Sequence, residues 1–421
     1  MMNEYHSNLK LNYKPRLLAE LLRKVSKDHQ IVVLSGARQV GKSTLLQNES
    51  PFKDWRYITM DDYDVLAQAR KEPAVLWAGA ENVILDEVQK SPGLLDAVKL
   101  VVDAQKSPQR FILSGSANIL LMKNVSESLA GRAIYMILFP MTIGEINEWQ
   151  FSNLLETLFK GDISSLEDKV TGAIDPLPYL WKGFMPGLMR FEKTDSVLRW
   201  WEGYISTYLE RDLRQLSQID SLPDFRRLMT ALALRCGKIL NQSEVSRDTG
   251  ITQPTVHRYI NLLETTCLIT RLPAYTVNRT KRLMKATKII WNDPGLVTFL
   301  SGHYDVESLK ASREIGGVLE SMIYLHLNTL VQLMMPKAAI YYWRTSTGKE
   351  VDFIIERGRT LLAIEVKLST TPRYADTDNL RLFIEEYPET VIGVLLHCGN
   401  KVQRMHEKII ALPWWCLGKA F

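Results

Sequence analysis

Along the 421-residue chain the apolar positions fall into two kinds of pattern. Short, largely β-branched or aliphatic runs mark the first third: Ile31–Leu34, then NVILDEVQ (82–89) and RFILSGSA (110–117), each closing on small or polar residues. A segment of helical character, STLLQNE (43–49), follows the first run. Strand, helix, strand, helix, strand in that order predicts a parallel α/β sheet with ligands at its carboxyl edge. Further along, Val245, Ile251, Val256, Ile260 and Leu263 recur on one face of SEVSRDTG (243–250) and TQPTVHRYINLLE (252–264). They predict two short helices packed on a small core, the first stopped at Gly250 and the second capped at Thr252, with Pro254 in its first turn. LITRLPAYTVNRTKRLMKATKIIW (268–291) then reads as a β-hairpin wing. EIGGVLESMIYLHL (314–327) repeats as an apolar helix, and YYWRTSTGKEVDFIIERGRTLLAIEVKLS (341–369) as three strands turning at Gly348 and Gly358.

The expected fold class is therefore α/β. A parallel-sheet domain occupies residues 1–150, a helical connector or lid 151–225, a winged helix 226–300 and a C-terminal α/β domain 301–421. With 46% apolar and 24% charged residues, the composition is that of a globular chain. The longest nearly apolar run, AIYMILFPM (133–141), is far short of the roughly 20 residues that cross a bilayer, and no leader-like stretch opens the chain. Cys236, Cys267, Cys398 and Cys416 lie far apart with no C-x-x-C pair, so they read as reduced core thiols. A cytoplasmic protein without a membrane partner is the expectation. Net charge is +5, but Ser221–Leu300 holds twelve Lys/Arg against five Asp/Glu, a local excess of seven. A basic patch of this kind points to a polyanionic partner.

Gly36-Ala37-Arg38-Gln39-Val40-Gly41-Lys42-Ser43, followed by Thr44, fits G-x-x-x-x-G-K-[ST] between a strand and a helix. Backbone N–H groups of such a loop surround the phosphates of ATP, Lys42 reaches the β/γ-phosphates and Ser43 ligates Mg²⁺. Asp86-Glu87 closes the next strand, Asp86 as the second Mg²⁺ ligand and Glu87 as the residue that polarises the attacking water. Ser114 or Ser116 contacts the γ-phosphate or orients that water. Arg132, beyond a small-residue turn, is a candidate arginine finger offered to a neighbouring subunit, which requires a homo-oligomer.

The two central helices present Gln253, Thr255, His257 and Arg258, and the wing carries Arg279, Lys281, Arg282, Lys285 and Lys288 without one acid. Five cations beside a recognition helix suit contact with DNA phosphates, although winged helices also serve as protein-binding modules and lids. At the C-terminus Glu365 and Lys367 share a strand face. An antiparallel turn at Arg357–Thr360 brings Asp352 towards Glu365, a carboxylate pair for Mg²⁺ with Lys367 placed to stabilise or deprotonate a water. The set of Glu320, Asp352, Glu365 and Lys367 resembles the PD-(D/E)xK nuclease motif, with Glu320 the helical acid and Val351 standing where the motif has Pro. A solvated Glu-x-Lys strand edge is the competing reading.

The combination LSGARQVGKST, YITMDD (57–62), VILDEVQKSP, FILSGSA, SLAGR and YLERDL (208–213) resembles prokaryotic AAA-superfamily ATPases that carry a C-terminal domain of unknown function. That resemblance implies Arg38 and Gln39 in the loop, the Asp86-Glu87 pair, a polar sensor at Ser114 or Ser116, and Arg132 as the finger. Gly187 in GFMPG departs from such proteins, where an acid is usual. The functional expectation is an oligomeric, Mg²⁺-dependent ATPase that translocates or remodels DNA, its C-terminal domain binding or cleaving it. The alternative is a signalling-type nucleotide switch that controls assembly, with the winged helix and nuclease-like domain as effector modules.

Overall fold

The computed structural model describes residues 13–104, 108–115, 129–162, 166, 170, 172–207 and 219–420. The chain divides into two compact units. One runs to Leu138 and takes in Met189–Glu192; the other comprises Phe139–Leu188 and the chain from Lys193 onward.

The first unit is built on a five-stranded sheet of β1 (Ile31–Ser35), β2 (Arg56–Thr59), β3 (Asn82–Asp86), β4 (Arg110–Ser114) and β5 (Ala133–Ile137). Its order is β2-β3-β4-β1-β5 and every pairing is parallel. All five residues of β1 are buried, as expected of a central strand covered on both faces. The helices of this unit are α1 (Leu18–Asp28), α2 (Lys42–Asn48), α3 (Tyr63–Lys71), α4 (Pro73–Leu76) and α5 (Leu94–Asp103). Ile31, Val33, Val83, Leu85, Leu95, Val98 and Phe111 form the core on one side, with Trp77 set edge-on to Phe111 at 5.4 Å.

The second unit begins with α6 (Ile143–Ile146), α7 (Leu154–Phe159), α8 (Leu177–Lys182), α9 (Thr194–Tyr204) and α10 (Leu222–Ala233). Next come α11 (Gln242–Thr249) and α12 (Gln253–Thr265). A two-stranded antiparallel sheet, β6 (Ile269–Leu272) and β7 (Lys288–Trp291), brackets the short α13 (Arg279–Met284). After α14 (Pro294–Leu300) and α15 (Val306–Lys310), the long α16 (Ile315–Gln332) packs on a mixed six-stranded sheet. That sheet has the order β12-β13-β11-β10-β9-β8: β8 (Ala339–Arg344), β9 (Glu350–Arg357), β10 (Thr360–Val366), β11 (Thr390–His397), β12 (Gln403–His406) and β13 (Ile409–Pro413). α17 (Asp378–Glu386) covers β9–β11.

Two features bear on the expected domain bounds. The first compact unit ends at Leu138, and the residues that follow pack into the second unit. There the Ile143 N–H donates to His326 Nε2 at 2.9 Å, α6 opens with a Thr142–Glu145 capping box, and Trp149 meets Trp415 edge-on at 6.4 Å. Connector, helix pair and C-terminal sheet are likewise not separate bodies: Tyr275 N–H donates to Tyr342 O, Tyr342 N–H donates to Pro273 O, and Arg282 pairs with Glu356.

Candidate functional site

The loop between β1 and α2 turns inside the first unit on backbone geometry that its sequence requires. At Gly36 a Cβ would stand 2.3 Å from the Leu138 carbonyl oxygen, so only glycine passes. Arg16 Nη1 donates to Val40 O at 2.7 Å and braces the loop from the start of α1. Lys42 is buried at the head of α2, and its Nζ donates to Gly36 O (3.1 Å) and Ala37 O (2.9 Å). Ser43 Oγ donates to Asp86 Oδ2 at 2.6 Å, and the Tyr57 hydroxyl donates to the same oxygen. Burial and the bond to Asp86 hold the Tyr57 hydroxyl above its ordinary pKa, so it remains a donor. Asp86 is 3% exposed, and its Oδ1 has no hydrogen-bond partner among the described residues. A buried carboxylate oxygen without a partner beside a serine hydroxyl is the donor set of a hard cation, and it fits Mg²⁺.

Glu87 sits in the left-handed region (φ 54°) and accepts from Gln89 Nε2. Burial first, and then the neighbouring Asp86 charge, raise its carboxyl above the usual range, which suits a group that takes a proton. Ser114 ends β4 opposite Leu34, with its Oγ buried and without a partner among the described residues. Ser116 lies outside the described residues. Arg132 is half-exposed and grips Asp103 with both ends of its fork, Nε to Oδ1 at 2.6 Å and Nη2 to Oδ2 at 3.0 Å. Tyr57, absent from the expected site, was findable only as a polar residue two positions before Thr59, the last residue of β2.

In the second unit, Val245, Ile251, Val256, Ile260 and Leu263 are buried together between α11 and α12, and Gly250 caps α11 at φ 70°. Gln253, His257 and Arg258 are exposed and Thr255 is half-buried. They are already engaged: Gln253 with Ser243, His257 with Gln242, Thr255 with Thr252, and Arg258 with Asp220 at 2.6 Å. The expected wing differs in shape and in charge. Its tip is the helical turn α13 rather than a bare hairpin, because Asn278 caps the Lys281 N–H. Arg279, Lys281 and Lys285 are exposed there beside Leu283 and Met284, but two of the five expected phosphate contacts are not at the surface. Arg282 is buried, clamped on Glu356 through Nη1 and Nη2 (2.6 and 2.9 Å) and stacked between the rings of Tyr275 and Tyr341, 4.6 Å from each. Lys288 is 1% exposed, so its ammonium cannot meet a phosphate.

Lys288 instead enters the expected nuclease-like cluster. Its Nζ lies 2.6 Å from Glu320 Oε2, 2.6 Å from Glu350 Oε1 and 3.6 Å from Asp352 Oδ1. Burial opposes its charge, but these three carboxylates outweigh burial and hold the ammonium well above its ordinary pKa. Asp352 Oδ2 accepts the Val366 N–H at 2.8 Å, and Lys367 Nζ donates to Glu365 Oε1 at 2.6 Å. Burial foremost, then the Asp352 charge, push the Glu320 and Glu365 carboxyls up to about 8. Glu320, Asp352, Glu365 and Lys367 thus do converge, yet among the described residues no group of three or more His, Cys, Asp or Glu is arranged to hold a metal ion. The positive charge that the structure itself places among these carboxylates is Lys288. Glu350 was legible, being two positions from Asp352 and so on the same strand face. Lys288 carried no such signal.

Comparison with known proteins matches three stretches of the chain. Residues 28–147 match an AAA domain, 177–307 a domain of unknown function (DUF8612) and 315–417 another (DUF4143). Two curated relatives, uncharacterized protein Rv2008c of Mycobacterium tuberculosis and Mb2031c of Mycobacterium bovis, are each 30% identical over 357 residues, covering 84% of this chain and 74% of theirs. The chain belongs to the family of these mycobacterial proteins. An uncharacterized Haemophilus influenzae protein is 20% identical over 408 residues, covering 91% and 94% of the two chains. The Walker-type ATPase paby2304 of Pyrococcus abyssi is similar at 17% identity and a TM-score of 0.44, over 69% of this chain and 98% of that one. The first unit of this family member is an AAA-type P-loop ATPase domain. Among the described residues no helix is long and apolar enough to cross a membrane.

Proposed function

We propose that this protein is a Mg²⁺-dependent ATPase that acts on DNA as a homo-oligomer. The observation that carries the ATPase half is the hydrogen bond from Ser43 to a buried Asp86 whose other oxygen has no partner among the described residues, directly beside the phosphate loop. Lys42 is held on two neutral carbonyls and exchanges them for phosphate oxygens, a stronger, charge-assisted bond. Ser43 and Asp86 hold the metal, which supplies neutralisation of the phosphate charge. Glu87 takes the proton of the attacking water, Ser114 orients it, and Tyr57 holds Asp86 in place by donating to it. Arg132 leaves Asp103 to stabilise the transition state of a neighbouring subunit.

The DNA half rests on the paired helices α11 and α12 with the exposed Arg279, Lys281 and Lys285, which we read as a winged helix contacting phosphates. The C-terminal unit, nuclease-like in its arrangement of α16 and β8–β10, serves this reading as a binding rather than a cutting module. The nucleotide-switch reading is favoured by one observation, the Arg132–Asp103 pair within one chain, which makes turnover wait on assembly.

The test is the steady-state ATP turnover of the full chain with Mg²⁺, alone and with single-stranded, duplex and branched DNA, with Lys42→Ala as blank. Stimulation by at least one DNA form is expected. A rate unmoved by every form overturns action on DNA and leaves the switch.

A further inference from the structure

Four carboxylates meet in the second unit: Glu320 from α16, Glu350 and Asp352 from β9, and Glu365 from β10. Their cations are of two kinds. Lys367 and Arg344 reach in from the rim, Lys367 to Glu365 at 2.6 Å and Arg344 to the outer oxygen of Glu350 at 3.3 Å, and both side chains remain more than a third exposed. Lys288 lies inside. Three carboxylate oxygens surround its nitrogen, one from each of Glu320, Glu350 and Asp352. Glu365, 3% exposed, keeps one oxygen (Oε2) that has no partner among the described residues, so the cluster still holds unused acceptor capacity.

The backbone around Lys288 fixes it. On one edge β7 pairs with β6, Lys288 opposite Leu272. On the other edge, residues 237–240 run alongside it: the Ile289 N–H donates to Lys238 O (2.9 Å), the Gly237 N–H to Ile289 O (2.9 Å) and the Leu240 N–H to Thr287 O (2.8 Å). One residue further out, Tyr342 Oη donates to Ala286 O at 2.5 Å. A long side chain on a strand held from both sides delivers its ammonium to one place.

We propose that Lys288 is the resident cation of this cluster, and that the cluster accepts a divalent cation only when that ammonium is removed. A hard divalent ion sits about 2.0–2.6 Å from carboxylate oxygens. Glu320 Oε2 and Asp352 Oδ1 already face Nζ at 2.6 and 3.6 Å, so an ion bound to the same oxygens stands almost in contact with a fixed like charge. One ammonium also sets its positive charge against all three carboxylates and donates to Glu350 Oε1 at 2.6 Å, without the dehydration that metal binding needs. The inference concerns only which cation occupies the C-terminal cluster. It stands or falls separately from ATP turnover and from contact with DNA.

The experiment uses the full chain carrying Asp86→Asn, which silences the carboxylate of the phosphate loop, and Mn²⁺ alone as probe, with free Mn²⁺ read by electron paramagnetic resonance. The chain with Lys288 in place is expected to show no saturable binding. Lys288→Met is expected to bind one Mn²⁺ per chain, weakened about tenfold or more by a further Glu365→Gln. Lys288→Arg keeps a cation and is expected to go on excluding the metal. Because Lys288→Met leaves several carboxylates uncompensated, a second variant, Lys288→Met with Glu350→Gln, removes one negative charge with the lysine. Cooperative thermal unfolding is followed for both, with and without Mn²⁺, and Mn²⁺ is expected to raise the midpoint or restore the transition. Saturable Mn²⁺ binding by the Lys288 chain that Glu365→Gln abolishes overturns the proposal. So does the failure of both variants to bind Mn²⁺ or to be stabilised by it.

Discussion

Lys42 and Lys288 are both buried lysines surrounded by oxygen, and they differ in what those oxygens are. Lys42 rests on the carbonyls of Gly36 and Ala37, which are neutral and belong to its own loop. Lys288 rests on three carboxylates contributed by α16 and β9. A lysine on carbonyls gains by moving to an anion, whereas a lysine on carboxylates is already neutralised and loses by leaving. The acid beside each shows the same contrast. Asp86 keeps Oδ1 without a partner among the described residues, while Asp352 spends one oxygen on the Val366 N–H and turns the other to Lys288. One site is open to an incoming ligand, and the other has its ligand built into the chain.

The largest effect is expected on the ATPase side. If Arg132 acts across subunits, Arg132→Ala is expected to lower turnover about 10³-fold or more while nucleotide binding survives, and mixing it with Lys42→Ala chains restores part of the rate. Retained activity in the single variant assigns Arg132 to its pair with Asp103 alone. Lys42→Ala should cost about 10²–10³-fold in turnover, checked under saturating ATP, with little change in the unfolding midpoint of the nucleotide-free protein.

Lys288→Ala reverses that signature. It is expected to destabilise the chain by about 3–5 kcal/mol in denaturant titration, because buried carboxylates are left uncompensated, with effects on ATP turnover following only from the reduced stability. A pH series sharpens the point. Glu320 and Glu365 hold protons in the folded chain up to about 8, against an ordinary carboxyl value of 4.5. Between those values the folded state binds more protons than the unfolded one, so stability is greatest on the acid side and declines as pH rises towards 8. Thermal midpoints across that window should fall, and more steeply in Lys288→Ala. The smallest effect is expected at α13. Replacing Arg279, Lys281 and Lys285 together by Ala should weaken DNA binding and flatten its salt dependence by about 0.9 for each phosphate no longer neutralised, measured by titration at several salt concentrations.

The nucleotide loop was legible because its chemistry is local. Strand, loop and helix follow within a score of residues, and Gly36, Gly41, Lys42 and Ser43 carry the pattern in their spacing. Asp86 was legible as the end of an apolar strand; that Tyr57 donates to it was not, since this depends on β2 lying beside β3. The C-terminal acids were visible through strand alternation, which places Glu350 and Asp352 on one face of β9 and Glu365 and Lys367 on one face of the next strand, and the pairing of Phe353 with Ile364 turns both faces to the same side of the sheet. Lys288 was misread for the opposite reason. In KATKIIW it looks like the last cation of a basic loop, and nothing nearby in sequence says that Glu320, thirty-two residues on, will reach back for it. Arg282 failed in the same way: its partner Glu356 lies 74 residues away. Charge composition counts cations, but only tertiary pairing decides which of them face water.

Arg282 also sets the thermodynamics of whatever α13 meets. Its guanidinium, bonded to Glu356 and to the Thr276 carbonyl and set between two tyrosine rings, ties the turn to β9 from beneath. The two residues that follow it point outward, with Leu283 and Met284 each 85% exposed. Association through this turn therefore starts from a backbone whose ordering entropy was already spent in folding. Affinity gained there should appear chiefly as burial of those two side chains, with the negative heat-capacity change that burial carries, and not as a disorder-to-order transition.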